Sequence, residues 1–179
     1  MRKKGKIVVS LPMSIDGYVQ ELDTEYEWLT EGEHLEQVPN KWDWNKFLKD
    51  IDVVVTGKST FNDKMCEMFK EKETYVSMLD PIKDYDKVHF ISKDIVKSTI
   101  REQRKNKNVL LFGTGILIDR FLKDDLIDEF IIGMVPVIAG SGKPVFLPNN
   151  PEIQLNLKNY YLNGEVMILR YTRKTHQRF

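Results

Sequence analysis

Val109-Leu110-Leu111-Phe112-Gly113-Thr114-Gly115-Ile116 decides the fold. Four apolar residues run into a glycine turn, and the turn opens a helical segment that continues to Leu122. Asp128-Glu129 and a second apolar run, Phe130 to Val135, follow. A turn-rich stretch then carries Pro136, Gly140, Ser141, Gly142 and Pro144. The order is strand, glycine turn, helix, strand. A glycine turn feeding a helix N-terminus is a ready anion site, because the backbone approaches a phosphate closely and the free N–H groups of the first helical turn point at it. The segment points to a nucleotide or dinucleotide ligand.

The same alternation extends in both directions. Lys6 to Leu11 reads as a first strand, β-branched and apolar. Asp52 to Thr56 is a near-continuous apolar run, suited to a central parallel strand buried on both faces. Lys87 to Ile91 gives a third strand, Val109 to Phe112 a fourth and Asp128 to Val135 a fifth. Helices are expected over Trp42–Lys49, Ser59–Glu67, Ile95–Asn106 and Ile116–Leu122. Ser14 to Val19 is a turn into a short extended piece. Glu21 to Asn40 reads as a long polar loop, of a length that in compact domains is often functional. Asn163-Gly164 is the best hairpin signal and joins Gln154–Leu162 to Val166–Thr172. The reading is one α/β domain over residues 1–179, with a mostly parallel sheet and an antiparallel C-terminal hairpin.

Composition narrows the function classes. Lys+Arg and Asp+Glu each number 27, so the formal net charge is zero and a dedicated nucleic-acid binder is disfavoured. One cysteine, Cys66, permits no internal disulfide, which fits a reducing cytoplasm. The apolar run after the basic start ends at Pro12, too short for an export signal, and no stretch approaches a membrane span. His34, His89 and His176 are far apart and lack paired-ligand spacing, so no metal is expected.

The motifs fall in a telling order. Met13-Ser14-Ile15-Asp16-Gly17-Tyr18 comes first, then Thr56-Gly57-Lys58-Ser59-Thr60-Phe61, Ile91-Ser92-Lys93 and Phe112-Gly113-Thr114-Gly115. Leu126-Ile127-Asp128-Glu129 and the stretch Pro136 to Phe146 complete the series. In this order and spacing, from about Lys6 to Thr172, the chain resembles the bacterial family that joins dihydrofolate reductase to the reductase domain of riboflavin biosynthesis, and above all its stand-alone members. The resemblance implies a three-layer αβα fold of dihydrofolate-reductase type, NADPH as hydride donor and a homodimer. The implied substrate is a small pteridine- or pyrimidine-like heterocycle, such as 5-amino-6-(5-phosphoribosylamino)uracil or dihydrofolate. Two positions depart from the family pattern: Lys58 stands where Gly-Arg is usual, and Thr114 where Gly-Gly is usual. Lysine keeps the charge but loses the bidentate fork that grips a phosphate.

Each candidate residue has a functional and an ordinary reading. Gly57, Lys58, Ser59 and Thr60 either hold cofactor phosphates or form a plain strand-to-helix turn with Ser59 as N-cap. Gly113, Thr114, Gly115 and Ile116 either bind the pyrophosphate or only let strand and helix pack closely. Ser92 and Lys93 either select the 2′-phosphate of NADPH or sit in a solvated loop. Asp16 is the candidate catalytic residue, orienting substrate or relaying a proton, or else it only shapes its Asp-Gly turn. Ser14, Trp28 and Phe61 are candidates to face substrate; aromatic residues are more often core. Dihydrofolate reductases carry an acid on the helix after the first long loop. Asp43 and Asp50 lie near that helix here without matching it, which counts against folate. A rival from another class stays open: a nucleotide-binding module without turnover, acting as sensor or partner protein.

Overall fold

Ile7–Ser14 (β1), Val53–Gly57 (β3), Val109–Phe112 (β6) and Glu129–Val135 (β7) form the parallel centre of the sheet. Their apolar runs require it, since both faces of these strands must be covered. The computed structural model describes residues 4–19, 40–113 and 115–174. Trp28, Thr114 and residues 21–39 of the long loop lie outside the described residues.

Glu73–Met78 (β4) and Val88–Ser92 (β5) extend the parallel set on one side. Leu155–Asn163 (β9) and Val166–Arg173 (β10) extend it antiparallel on the other. The eight strands run β5-β4-β3-β6-β1-β7-β10-β9. Tyr18–Val19 (β2) and Lys143–Pro144 (β8) form a separate two-stranded ladder.

Alternate residues divide the core. Val53, Val55, Val109, Leu111, Ile7 and Val9 face one side, against Val96–Gln103 (α3) and Ile116–Lys123 (α4). Val54 and Leu110 face the other, against Trp44–Lys49 (α1) and Asp63–Met68 (α2). Phe121, Leu110 and Ile118 are among the largest fully buried side chains. Each such burial stabilises the fold by about 1.5–3 kcal/mol. This is the expected α/β architecture, helices on both faces of a mostly parallel sheet closed by an antiparallel hairpin.

Three expectations need correction. The segment Glu73 to Met78, not read as a strand, pairs with β3 on its outer side, between it and the edge strand β5. The pairing of Lys143–Pro144 with Tyr18–Val19 was not foreseen either. The helix expected from Ser59 begins only at Asp63, because Asn62 is its N-cap: the Asn62 side chain accepts from the Met65 amide at 2.9 Å.

Candidate active site

The parallel strands all point one way, so Ser14, Gly57, Ser92 and Phe112 end on the same rim. In open parallel sheets ligands bind at this rim. Four turns converge there.

Gly113 has φ +124°, and a Cβ built on it would lie 2.8 Å from the Thr60 Oγ1. Only glycine lets this turn close against Thr60. Thr60 and Gly113 are therefore in direct contact, where the neighbouring strands β3 and β6 end. Thr60 is buried, and its amide donates to the Gly57 carbonyl at 3.0 Å. The Lys58 amide is likewise used, donating to the Ser77 carbonyl at 3.1 Å. The side chain of Thr60 supports Gly113, and the Lys58 ammonium lies 5.6 Å from the Phe61 ring centroid.

Gly115 is the N-cap of α4, with φ 72° and no side-chain cap. The first intrahelical bond runs from the Asp119 amide to the Gly115 carbonyl at 3.0 Å. The amides of Ile116, Leu117 and Ile118 thus point out of the helix end. Lys143 reaches the same place from β8: its Cε is 3.5 Å from where a Gly115 Cβ would stand. An anion here would meet backbone donors, the helix dipole and a lysine together. Glycine suits residue 115 because of its φ of 72°, and the bare helix end with a lysine beside it fits a phosphate group.

Ser92 and Lys93 turn back over the α4 side. The Ser92 Oγ accepts from the Asp94 amide at 3.3 Å, and Arg120 of α4 donates to the Lys93 carbonyl at 2.7 Å. Arg120 ties this turn to the same helix that ends at Gly115.

Asp16 accepts from the Ser14 hydroxyl at 2.6 Å, the Ala139 amide at 3.0 Å and the Gly140 amide at 2.7 Å. The Ser14 hydroxyl first, then the two amides, hold its carboxyl at about 2. A carboxyl at that value is ionised at neutral pH and has no proton to give. Its contacts clasp the Pro136–Phe146 stretch to the end of β1. Ser14, expected to face substrate, is fully buried instead, and its Oγ also accepts from the Tyr18 amide at 3.0 Å. Phe61 turns toward β5, edge-on to Phe90 at 5.6 Å between centroids. Asp43 is the N-cap of α1, accepting from the Lys46 amide at 2.9 Å.

Sequence reasoning missed Lys143, Arg120 and two of three exposed isoleucines, Ile15 and Ile138; Ile116 was named as a phosphate-binding position, without its exposed side chain. Ile15, Ile116 and Ile138 are 55%, 67% and 75% exposed, two of them beside the Asp16 clasp and one at the first turn of α4. All three follow the ends of parallel strands, β1, β6 and β7, on this rim. Their signal is a β-branched apolar residue a few positions past the end of a strand. Among the described residues no group of His, Cys, Asp and Glu is placed to hold a metal, and no helix is long and apolar enough to cross a membrane.

Comparison with known proteins agrees with this geometry. Residues 70–169 match the RibD C-terminal domain family. The uncharacterized protein YwjB of Bacillus subtilis (strain 168) is 32% identical over 174 residues, covering 94% of this chain and 98% of its own. A solved structure from Shewanella sp. PV-4, tied provisionally by its name to riboflavin biosynthesis, is 25% identical with a TM-score of 0.74, covering 95% of this chain and 99% of that one. Dihydrofolate reductase from Enterococcus faecalis, solved with NADP(H), aligns over 98% of this chain and 100% of its own at 14% identity, with a TM-score of 0.55. At that identity the likeness is one of fold. With more than half of its length matched, and with the rim and sheet order described above, the chain belongs to the reductase-like RibD C-terminal domain family and has a dihydrofolate-reductase-like fold.

Proposed function

We propose that this protein is an NADPH-dependent reductase of a small heterocycle of pteridine or pyrimidine type. The observation that carries the reading is the cradle at the start of α4: an uncapped helix end on Gly115, with Lys143 beside it and the Thr60-supported Gly113 turn adjoining. Gly113 to Ile116 hold the phosphates, with the Gly57 to Thr60 turn buttressing Gly113 through Thr60 and Lys143 as the neighbouring cation. Ser92 and Lys93, tied to α4 through Arg120, lie on the 2′-phosphate side. NADPH, when bound, supplies the hydride. The chain orients the partners and excludes water, with the exposed isoleucines of the rim as the apolar surface for flat rings. Asp16 keeps the Pro136–Phe146 stretch, and with it Lys143, in place.

A second reading follows from Asp16 itself. Because that carboxylate is ionised, proton delivery falls to solvent or to residues other than Asp16. A chain that binds the nucleotide without turnover satisfies the same cradle, as a sensor or partner protein.

The test uses Ile116→Asp. The site is exposed, and an acidic residue at the first helical position favours the helix dipole, so the fold is kept or slightly stabilised. The same charge repels a phosphate, and NADPH affinity should fall at least about tenfold, roughly 1.4 kcal/mol. Unchanged affinity in folded protein would remove α4 from the site. NADPH binding in the parent chain with no oxidation by any pteridine or pyrimidine would select the second reading. Gly113→Asp is a poorer probe, since any side chain there strains the turn.

A further inference from the structure

β4 and β5 are parallel neighbours, and a crossover between such strands is usually a helix. Here residues 79–87 return without one, as a strap from the rim end of β4 to the base of β5, which ends the strand order. The strap closes through the Tyr85–Val88 bridge, with the Tyr85 amide donating at 3.1 Å and the Val88 amide at 2.8 Å. Among the described residues, the backbone of 79–84 makes no hydrogen bond. Its side chains Leu79 and Ile82 are exposed. The polar tether of this span is one carboxylate, Asp84. Its Oδ1 accepts from the Phe90 amide at 2.8 Å, on the outer edge of β5, and its Oδ2 meets His89 Nδ1 at 3.0 Å.

The other ring nitrogen of His89, Nε2, meets Glu73 Oε2 of β4 at 2.7 Å. The ring lies 4.9 Å from that of Tyr75, whose hydroxyl accepts from Gln103 of α3 at 3.1 Å. Lys87 turns aside to Glu71 at 3.3 Å. The groups facing the ring are thus Glu73 and Tyr75 from β4 and Asp84 from the strap, with α3 reaching it through Tyr75. An ionised carboxylate only accepts, and a neutral imidazole has a single N–H. Two ring nitrogens on two carboxylates therefore require the imidazolium. Burial pushes the His89 pKa down, but the hydrogen bonds of Glu73 and Asp84 outweigh it and hold it above the ordinary histidine value. Burial, then the Glu73 and Asp84 charges, pushes the Tyr75 phenol up, so Tyr75 stays neutral.

We propose that the strap over residues 79–87 is a pH-set guard on the open edge of the sheet, latched by Asp84 to His89 and released when the ring loses its proton. A neutral ring keeps one N–H and turns a lone pair on the other carboxylate. Glu73 is fixed in β4, which pairs on both sides. Asp84 stands on the span with no backbone tether, so the Asp84 arm gives way. The latch is fully present below the ordinary histidine range and is lost as pH rises through the raised His89 value. Release bares the Phe90 amide, a donor ready to pair with another strand. His89 sits near the base of β5, away from the rim, and the inference stands apart from the reductase reading.

Amide hydrogen exchange of the full chain, read by NMR from about pH 5.5 to 9 and corrected for the intrinsic rate, tests it. Phe90 protection should fall at least about tenfold as the His89 ring signals titrate. The Val55 and Leu111 amides at the centre of the sheet should stay level and report that each variant is folded. His89→Gln, neutral at every pH, should show the lowered Phe90 protection throughout, with no step. Asp84→Asn keeps an acceptor for the Phe90 amide but removes one carboxylate. There the His89 ring should titrate closer to the ordinary histidine value and the step should disappear. Level Phe90 protection through the His89 titration overturns the inference, and so does an undiminished step in either folded variant.

Discussion

Asp16 spends its hydrogen-bonding capacity on the chain itself, on one hydroxyl and two amides. Its lowered pKa means that the clasp stabilises the rim above the ordinary aspartate range and is lost only as pH falls through about 2. Asp16→Asn should therefore loosen the stretch that carries Lys143 and weaken NADPH binding about three- to tenfold. Because the carboxylate stays ionised, this deficit should be constant from about pH 5 to 9. Binding and rate measured across that range check it; a rate deficit that changes with pH would restore Asp16 as a proton donor. At this scale the glycines were legible, since a glycine after a buried strand announces a turn. Lys143 was not: β2–β8 pairing brings it to Gly115 from far along the chain.

Among the elements, β7 carries an ion triad that joins three strands. Glu129 is buried, with Arg170 of β10 donating at 3.1 and 2.7 Å and Lys6, just before β1, on its other oxygen. Burial pushes the Glu129 carboxyl up, but the Lys6 and Arg170 charges outweigh it and hold it below the ordinary glutamate range. Its contribution is thus present above that range and lost as pH falls through the lowered value. Glu129→Gln should cost about 2 kcal/mol at neutral pH, leaving two cations without a counter-charge, one of them half exposed. Urea unfolding should show the gap from the parent chain narrowing as pH falls below the ordinary glutamate range. The strands with continuous apolar runs were readable because both faces are buried. β4 escaped because only Thr74 and Val76 of Glu73–Met78 are buried, with Glu73, Tyr75, Ser77 and Met78 partly exposed. The start of α2 was misplaced because two candidate caps, Ser59 and Asn62, lie three residues apart and only the hydrogen bond decides between them.

Taken whole, the molecule gathers glycine turns, a bare helix end and a lysine on one rim of its sheet. The strand order follows from the alternation of the sequence, and that order makes neighbours of Gly57 and Gly113. The substrate side was less legible, since Trp28 and most of the long loop lie outside the described residues. A calorimetric titration of the folded protein with NADPH and, separately, NADH tests the central claim. NADPH binding at micromolar strength, with NADH clearly weaker, is the predicted result. Folded protein that takes up heat from neither would contradict the account and leave the family likeness as one of fold alone.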